Sequence, residues 1–227
     1  MRVSRVGALL IASVLLLGAT PGTAIAPATS EAPLLRVAVI SDSYTTGTVD
    51  GGMGPRNWTA LAWQRLARRG IDVVADVAAE GRAGYDTVGN RGSVFADLIV
   101  RATRADDAVV VFFGSRNDQE VPPARLRTRV RQAFDLAQRR APRARLLVIG
   151  PAWPTPDVPP VMLGIRDILR AEAAAAGGSF FDPLAAGWFM NQPGLIGPDG
   201  VHPTDAGHAY LAARIAPLIA ARLPRPD

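Results

Sequence analysis

The chain has no cysteine, no lysine and only two histidines among its 227 residues. Without cysteine there can be no disulfide, and no lipid anchor on a cysteine at an export cleavage point. Two histidines without cysteine or any paired ligand motif leave a zinc hydrolase without its ligand set. No Gly-x-Gly-x-x-Gly follows the first apolar strand, which removes dinucleotide binding and with it hydride transfer. A phosphatase built on Asp42 would need a second aspartate two residues later, and Tyr44 stands there. The missing lysine, in a chain so rich in alanine, reflects a GC-rich genome more than chemistry. The arginines spread along helical segments without interleaved aromatics, so no nucleic-acid partner is expected. The formal charge of +5 reads as a solvated face, or as adhesion to anionic envelope polymers.

What is present begins with an export pattern. Arg2 and Arg5 precede an almost wholly apolar run at residues 6–19, and Ala24-Ile25-Ala26 has the small-x-small form of a signal-peptidase site. The run is too short to span a bilayer comfortably. Residues 1–26 are therefore expected to be a signal peptide, with an uncleaved anchor as the alternative, and residues 27–34 a linker. This implies a secreted or cell-envelope protein that meets the membrane only through its signal. The remaining residues, about 200, are enough for one domain with a substantial core.

Along that domain, short apolar strands alternate with helical patterns. Strands are expected at residues 37–40, 71–78, 108–113, 145–149 and 179–181, with helices at 58–69, 93–103, 121–140, 161–176 and 204–222. Leu126, Val130, Ala133, Phe134 and Ala137 recur at helical spacing, as do Met162, Ile165, Ile168, Leu169 and Ala173. Asn57 is a good N-cap for the helix at 58–69, whose apolar face is read through Ala60, Leu61, Trp63 or Gln64, Leu66 and Ala67. Asn57-Trp58-Thr59 also matches a glycosylation sequon, but the cap is the better reading. There is no internal repeat. Alternation throughout argues one doubly wound α/β domain, whose strand ends share one rim.

Four polar features fall at that rim. Ser41-Asp42-Ser43 ends the first strand, a glycine-bearing loop at 80–85 ends the second, and Gly114-Ser115-Arg116-Asn117-Asp118 ends the third. Asp199-Gly200-Val201-His202 precedes the last helix. Serine is a poor nucleophile near neutral pH and needs a base in reach; imidazole, with an unperturbed pKa of about 6.5, suits the task. Asp199, three residues before His202, could fold back on the ring and fix its tautomer. A developing oxyanion needs donors, which the Ser43 N–H, a backbone N–H of the glycine loop and the Asn117 amide would supply. His208 falls in the first turn of the last helix and reads as structural. Tyr44, Tyr85 and Trp153 are candidate substrate walls, since aromatics offer broad apolar contact. Trp188 reads as wall or core.

On these residues the chain resembles the SGNH hydrolases, also called GDSL esterases and lipases. That family's Gly-Asp-Ser-x-x-x-Gly matches residues 41–47 except that Ser41 replaces the glycine. Its Gly-x-x-Asn-Asp matches 114–118, its Asp-x-x-His-Pro matches 199–203, and its second-block glycine corresponds to Gly84, with Gly81 the alternative. The resemblance implies a three-layer α/β/α sandwich around a central, mainly parallel five-stranded sheet, flavodoxin-like. It implies Ser43 as nucleophile, His202 as base, Asp199 as its orienter, and an oxyanion hole of Ser43, Gly84 and Asn117, with no cofactor and no metal. The expected activity is hydrolysis of carboxylic esters, short-chain acyl or O-acetyl groups on glycans or lipids, by a monomer. An acyltransferase of the same fold and an inactive glycan-binding relative remain alternatives. Ser41, adding a side chain just before the nucleophile, could crowd the turn.

Overall fold

The computed structural model describes residues 35–224. The expected signal peptide and linker lie outside them. Five strands form the sheet: β1 (Leu35–Ser41), β2 (Val73–Ala79), β3 (Asp107–Phe113), β4 (Arg145–Ile149) and β5 (Ser179–Phe181). All pairings are parallel, in the order β2-β1-β3-β4-β5. The connections are α1 (Ser43–Thr46) and α2 (Trp58–Ala67) after β1, α3 (Phe95–Ala102) after β2, α4 (Pro123–Arg140) after β3 and α5 (Pro160–Ala175) after β4. The final helix is α6 (Asp205–Ala220).

Strand residues are buried on both sides, as a doubly covered parallel sheet requires. Ala38, Ile40, Val110, Phe112 and Val148 face a core shared with α3, α4 and α5. Val37, Val39, Val111, Phe113 and Leu147 face the other, shared with α2 and α6. These are the three layers expected. The inner faces of α4 and α5 are the predicted ones. In α2, however, the buried residues are Trp58, Thr59, Ala62 and Leu66, while Ala67 is exposed. The Trp58 indole meets Phe113 edge-on, with ring centroids 6.0 Å apart, and that contact sets the helix rotation.

Two features of the topology place the functional loops. Ser41 pairs with both Ala79 and Phe113, Phe113 with Ile149, and Ile149 with Phe181, so the strands finish level at one rim. The chain leaves β1 toward β2 on one side and returns to β3 on the other. The crevice between the loops after β1 and β3 is therefore the switch point where open α/β sheets bind ligands. Among the described residues, no helix is long and apolar enough to cross a membrane.

Candidate active site

Strand β1 runs through Ser41, and Asp42 then caps a one-turn helix, its carboxylate accepting the Tyr44 N–H at 2.9 Å. That turn lifts Ser43 out of the sheet into a cleft of about 440 Å³. Ser41 does not crowd it. Its hydroxyl points into the fold, donating to Phe113 O at 2.7 Å and accepting from Thr45 Oγ1 at 2.6 Å; Thr45 Oγ1 in turn accepts from Trp58 Nε1 at 2.8 Å. The extra side chain thus joins a buried chain of hydrogen bonds, each worth about 1 kcal/mol net.

The loop before α6 brings His202 to Ser43. Gly197 N donates to His202 O, Ile196 bridges Pro203, and Tyr44 Oη donates to Val201 O at 2.7 Å. Tyr44 thereby ties the turn carrying Ser43 to the loop carrying His202. Burial pushes its phenol up to about 12, so it stays a donor. His202 Nε2 lies 3.0 Å from Ser43 Oγ, and Nδ1 lies 2.5 Å from Asp199 Oδ2. Asp199 Oδ1 accepts the backbone N–H groups of Val201 and His202. Partial burial works to raise the Asp199 carboxyl, but these bonds and the ring outweigh it and bring it to about 2. An ionised Asp199 holding Nδ1–H leaves Nε2 free to accept a proton from Ser43. Chemically, the arrangement can activate the hydroxyl.

The donors opposite require one correction. The N–H of Gly84 is spent on Thr87 O at 2.9 Å, and Gly84 is buried away from the cleft. Its lack of a side chain serves Asp118, whose carboxylate would lie 2.4 Å from an added Cβ and accepts the N–H groups of Tyr85, Asp86 and Thr87. Gly81 lines the cleft instead, and neither its N–H nor that of Ser43 has an acceptor among the described residues. Asn117 also lines the cleft. Its amide nitrogen donates to Ala83 O at 2.9 Å and stands 3.3 Å from Asp42 Oδ2, the longer contact being the one an incoming oxyanion would replace.

The aromatic candidates divide. Tyr44 lines the cleft, but Tyr85 does not: it is buried among Phe95, Phe112 and Phe134, where its ring fills the core. Trp153 stands behind the cleft, stacked under Arg116 at 4.1 Å. Trp188 is core. Three nearby groups were given no part in the site from the sequence. Asp42 is fully buried beside Asn117, and burial, against the pull of the Tyr44 N–H, pushes its carboxyl up to about 7. Ser115 is held at φ 88°, a left-handed conformation costly for a side chain, with its hydroxyl on Asp118 at 3.0 Å. Asp50 offers an oxygen within 4.8 Å of ligand atoms of Asp199 and His202, a group that could hold a metal ion. Such an ion would compete with the Nδ1 contact. Two other depressions, of about 480 and 470 Å³, lack any nucleophile beside a base.

Comparisons with known proteins bear on the family and the fold. Residues 42–210 match the model of the GDSL-like Lipase/Acylhydrolase family. Over 228 residues the chain is 56% identical to the GDSL lipase Rv0518 of Mycobacterium tuberculosis (strain ATCC 25618 / H37Rv), covering 97% of this chain and 99% of that one. In fold it is similar to a lipase/acylhydrolase from Enterococcus faecalis, with TM-score 0.64, 18% identity and coverage of 86% and 100%. It is likewise similar to Est24, a carbohydrate acetylesterase from Sinorhizobium meliloti, with TM-score 0.62, 16% identity and coverage of 82% and 99%.

Proposed function

Since the chain belongs to the GDSL-like lipase/acylhydrolase family and is a carboxylic ester hydrolase, we propose that it acts as an exported serine esterase through an acyl-enzyme on Ser43. The observation that carries this reading is the 3.0 Å approach of His202 Nε2 to Ser43 Oγ at the floor of the cleft. Ser43 Oγ attacks the ester carbonyl as its proton passes to His202, and Asp199 stabilises the imidazolium. The tetrahedral oxyanion is held by the N–H groups of Ser43 and Gly81, and by the Asn117 amide once it releases its longer contact with Asp42. His202 then protonates the departing alkoxide. Water, deprotonated by the same ring, releases the acid.

The substrate is read as a short-chain ester, an acetyl or similarly small group on a glycan or lipid. Support comes from the lining side chains, where Thr46, Thr48, Gln119, Arg82 and Arg116 stand with Tyr44 and Val201 beside the nucleophile. Tyr44 and Val201 are the lining residues with large apolar side chains, enough to meet a short acyl group and too few to wrap a long one. Export follows from the residue pattern at 1–26. A 4-nitrophenyl ester series from acetate to laurate, run with and without a glycan acceptor, tests the proposal. The acetate and butyrate are expected to be cleaved at least tenfold faster than the laurate, with no need of an acceptor, and Ser43→Ala to cleave neither. A laurate optimum would overturn the short-chain reading, and turnover only with acceptor would make the protein a transferase.

A further inference from the structure

The cleft is electrically lopsided. Beyond His202 lie the carboxylates of Asp199 and Asp50. The other end holds two arginines, Arg82 and Arg116, and neither has a carboxylate within 4.0 Å among the described residues. Several arginines outside the cleft do carry such a partner: Arg125 and Arg129 share Asp86, Arg127 and Arg131 share Glu172, and Arg36 and Arg104 share Asp76.

Arg116 is also fixed in place. It is half-buried, and its guanidinium carbon sits 4.1 Å from the centre of the Trp153 ring. Its Nη1 is buried and has no acceptor. A buried N–H without a partner is costly and uncommon, and here it borders the cleft that holds the nucleophile. Arg82 hangs over the same space from a backbone at φ 66°. Among the described residues lining the cleft, the one acid, Asp42, is fully buried and bonded to the Tyr44 N–H. An incoming anion would meet a planar, oriented guanidinium at the cleft wall, the group whose shape suits carboxylate and phosphate oxygens.

We propose that Arg116, assisted by Arg82, forms an anion-binding subsite, and that the ester this enzyme takes carries a carboxylate or phosphate. The inference deepens the esterase reading above and rests on it. It adds charge and hydrogen bonds to the contact that Tyr44 and Val201 provide. Arg116 is then the specificity-determining residue, and Trp153 positions it.

Matched esters test this without knowledge of the natural substrate. Methyl 4-acetoxybenzoate is neutral, 4-acetoxybenzoate carries a carboxylate and 4-acetoxyphenyl phosphate a phosphate; rates are normalised to those with hydroxide. At low salt the wild-type protein is expected to favour the anionic esters at least tenfold in kcat/KM, mainly through KM, and to lose that preference in about 0.5 M NaCl. Comparing the two anions tells carboxylate from phosphate. Arg116→Gln should bring the ratio close to one, Arg82→Gln should lower it less, and Arg116→Lys should keep part of it. Equal rates on neutral and anionic esters, or a ratio unchanged in Arg116→Gln, would overturn the proposal. Calorimetry of the Ser43→Ala protein with 4-hydroxybenzoate and its methyl ester reads the subsite without turnover. Failure to cleave any ester with preferential binding of the anion would sink the esterase reading and keep the subsite; cleavage with no preference in either assay would do the reverse.

Discussion

The two histidines stand close together in sequence, yet the loop that carries one and the helical turn that carries the other have opposite physics. His202 is partly exposed at the cleft, with one nitrogen on Asp199 and the other facing Ser43. His208 is wholly buried at the start of α6. Its Nδ1 accepts the Trp58 N–H at 3.2 Å, and its Nε2 has no partner. Burial brings the His208 ring down to about 4, so it stays neutral. Gly52, at φ 76°, makes room for it: an added Cβ would sit 2.0 Å from the ring nitrogen. What separates the proposed proton carrier from a structural peg is the partner on the second nitrogen and access to solvent.

That contrast can be broken most forcefully at the cleft. Ser43→Ala and His202→Ala are expected to lose roughly 10⁴- to 10⁶-fold in kcat on 4-nitrophenyl acetate while melting close to the wild type, since neither side chain packs the core. His208→Ala should do the opposite. It leaves the Trp58 N–H unpaired and opens a cavity, so denaturant titration should record a loss of about 3 kcal/mol or more. Its activity per folded molecule should stay within about tenfold. A His208→Ala protein that is stable but inactive would dissolve the distinction.

Smaller changes sharpen it. Asp199→Asn should lower kcat by about 10²- to 10⁴-fold, because the amide can hold the ring in the wrong tautomer. Tyr44→Phe removes only the bond to Val201 O, worth about 1 kcal/mol, and should lower kcat about fivefold with little effect on the melting temperature.

Stability against pH separates the buried groups by sign. His208 has a folded-state value below the ordinary 6.5, so its contribution is complete above 6.5 and is lost as pH falls toward 4. Asp42 has a folded-state value above 3.8, so it costs nothing in acid and destabilises the fold progressively as pH rises from 3.8 through about 7. Denaturation across that range should show Asp42→Asn gaining stability over the wild type as pH rises, and His208→Gln losing the slope between 6.5 and 4. Parallel curves for the wild type and both variants would contradict these assignments.

Much of this was legible in the sequence because strands and helices here carry clean apolar periodicity. The residues of β4 and β5 and the inner faces of α4 and α5 follow from spacing alone. Ser43, Asp199 and His202 were readable because each stands where a strand or loop must stop. The misreadings share a cause. Gly84 and Tyr85 look like cleft residues because they lie in a loop at the strand ends, but Asp118 draws that loop inward and turns both into the fold. The rotation of α2 depends on Trp58 reaching Phe113, a contact far apart in sequence. Arg116 was invisible as a binding group because its stacking on Trp153 and its lack of an acid exist only in three dimensions.

The central claim is that the hydroxyl of Ser43 is the attacking group and that His202 activates it. Treating the protein with diethyl 4-nitrophenyl phosphate and locating the added mass by peptide mass spectrometry tests this directly. One diethylphosphoryl group on Ser43 is expected, in step with loss of esterase activity, and almost none in His202→Ala. Inactivation with the group on another residue, or labelling of Ser43 at an unchanged rate in His202→Ala, would contradict the account.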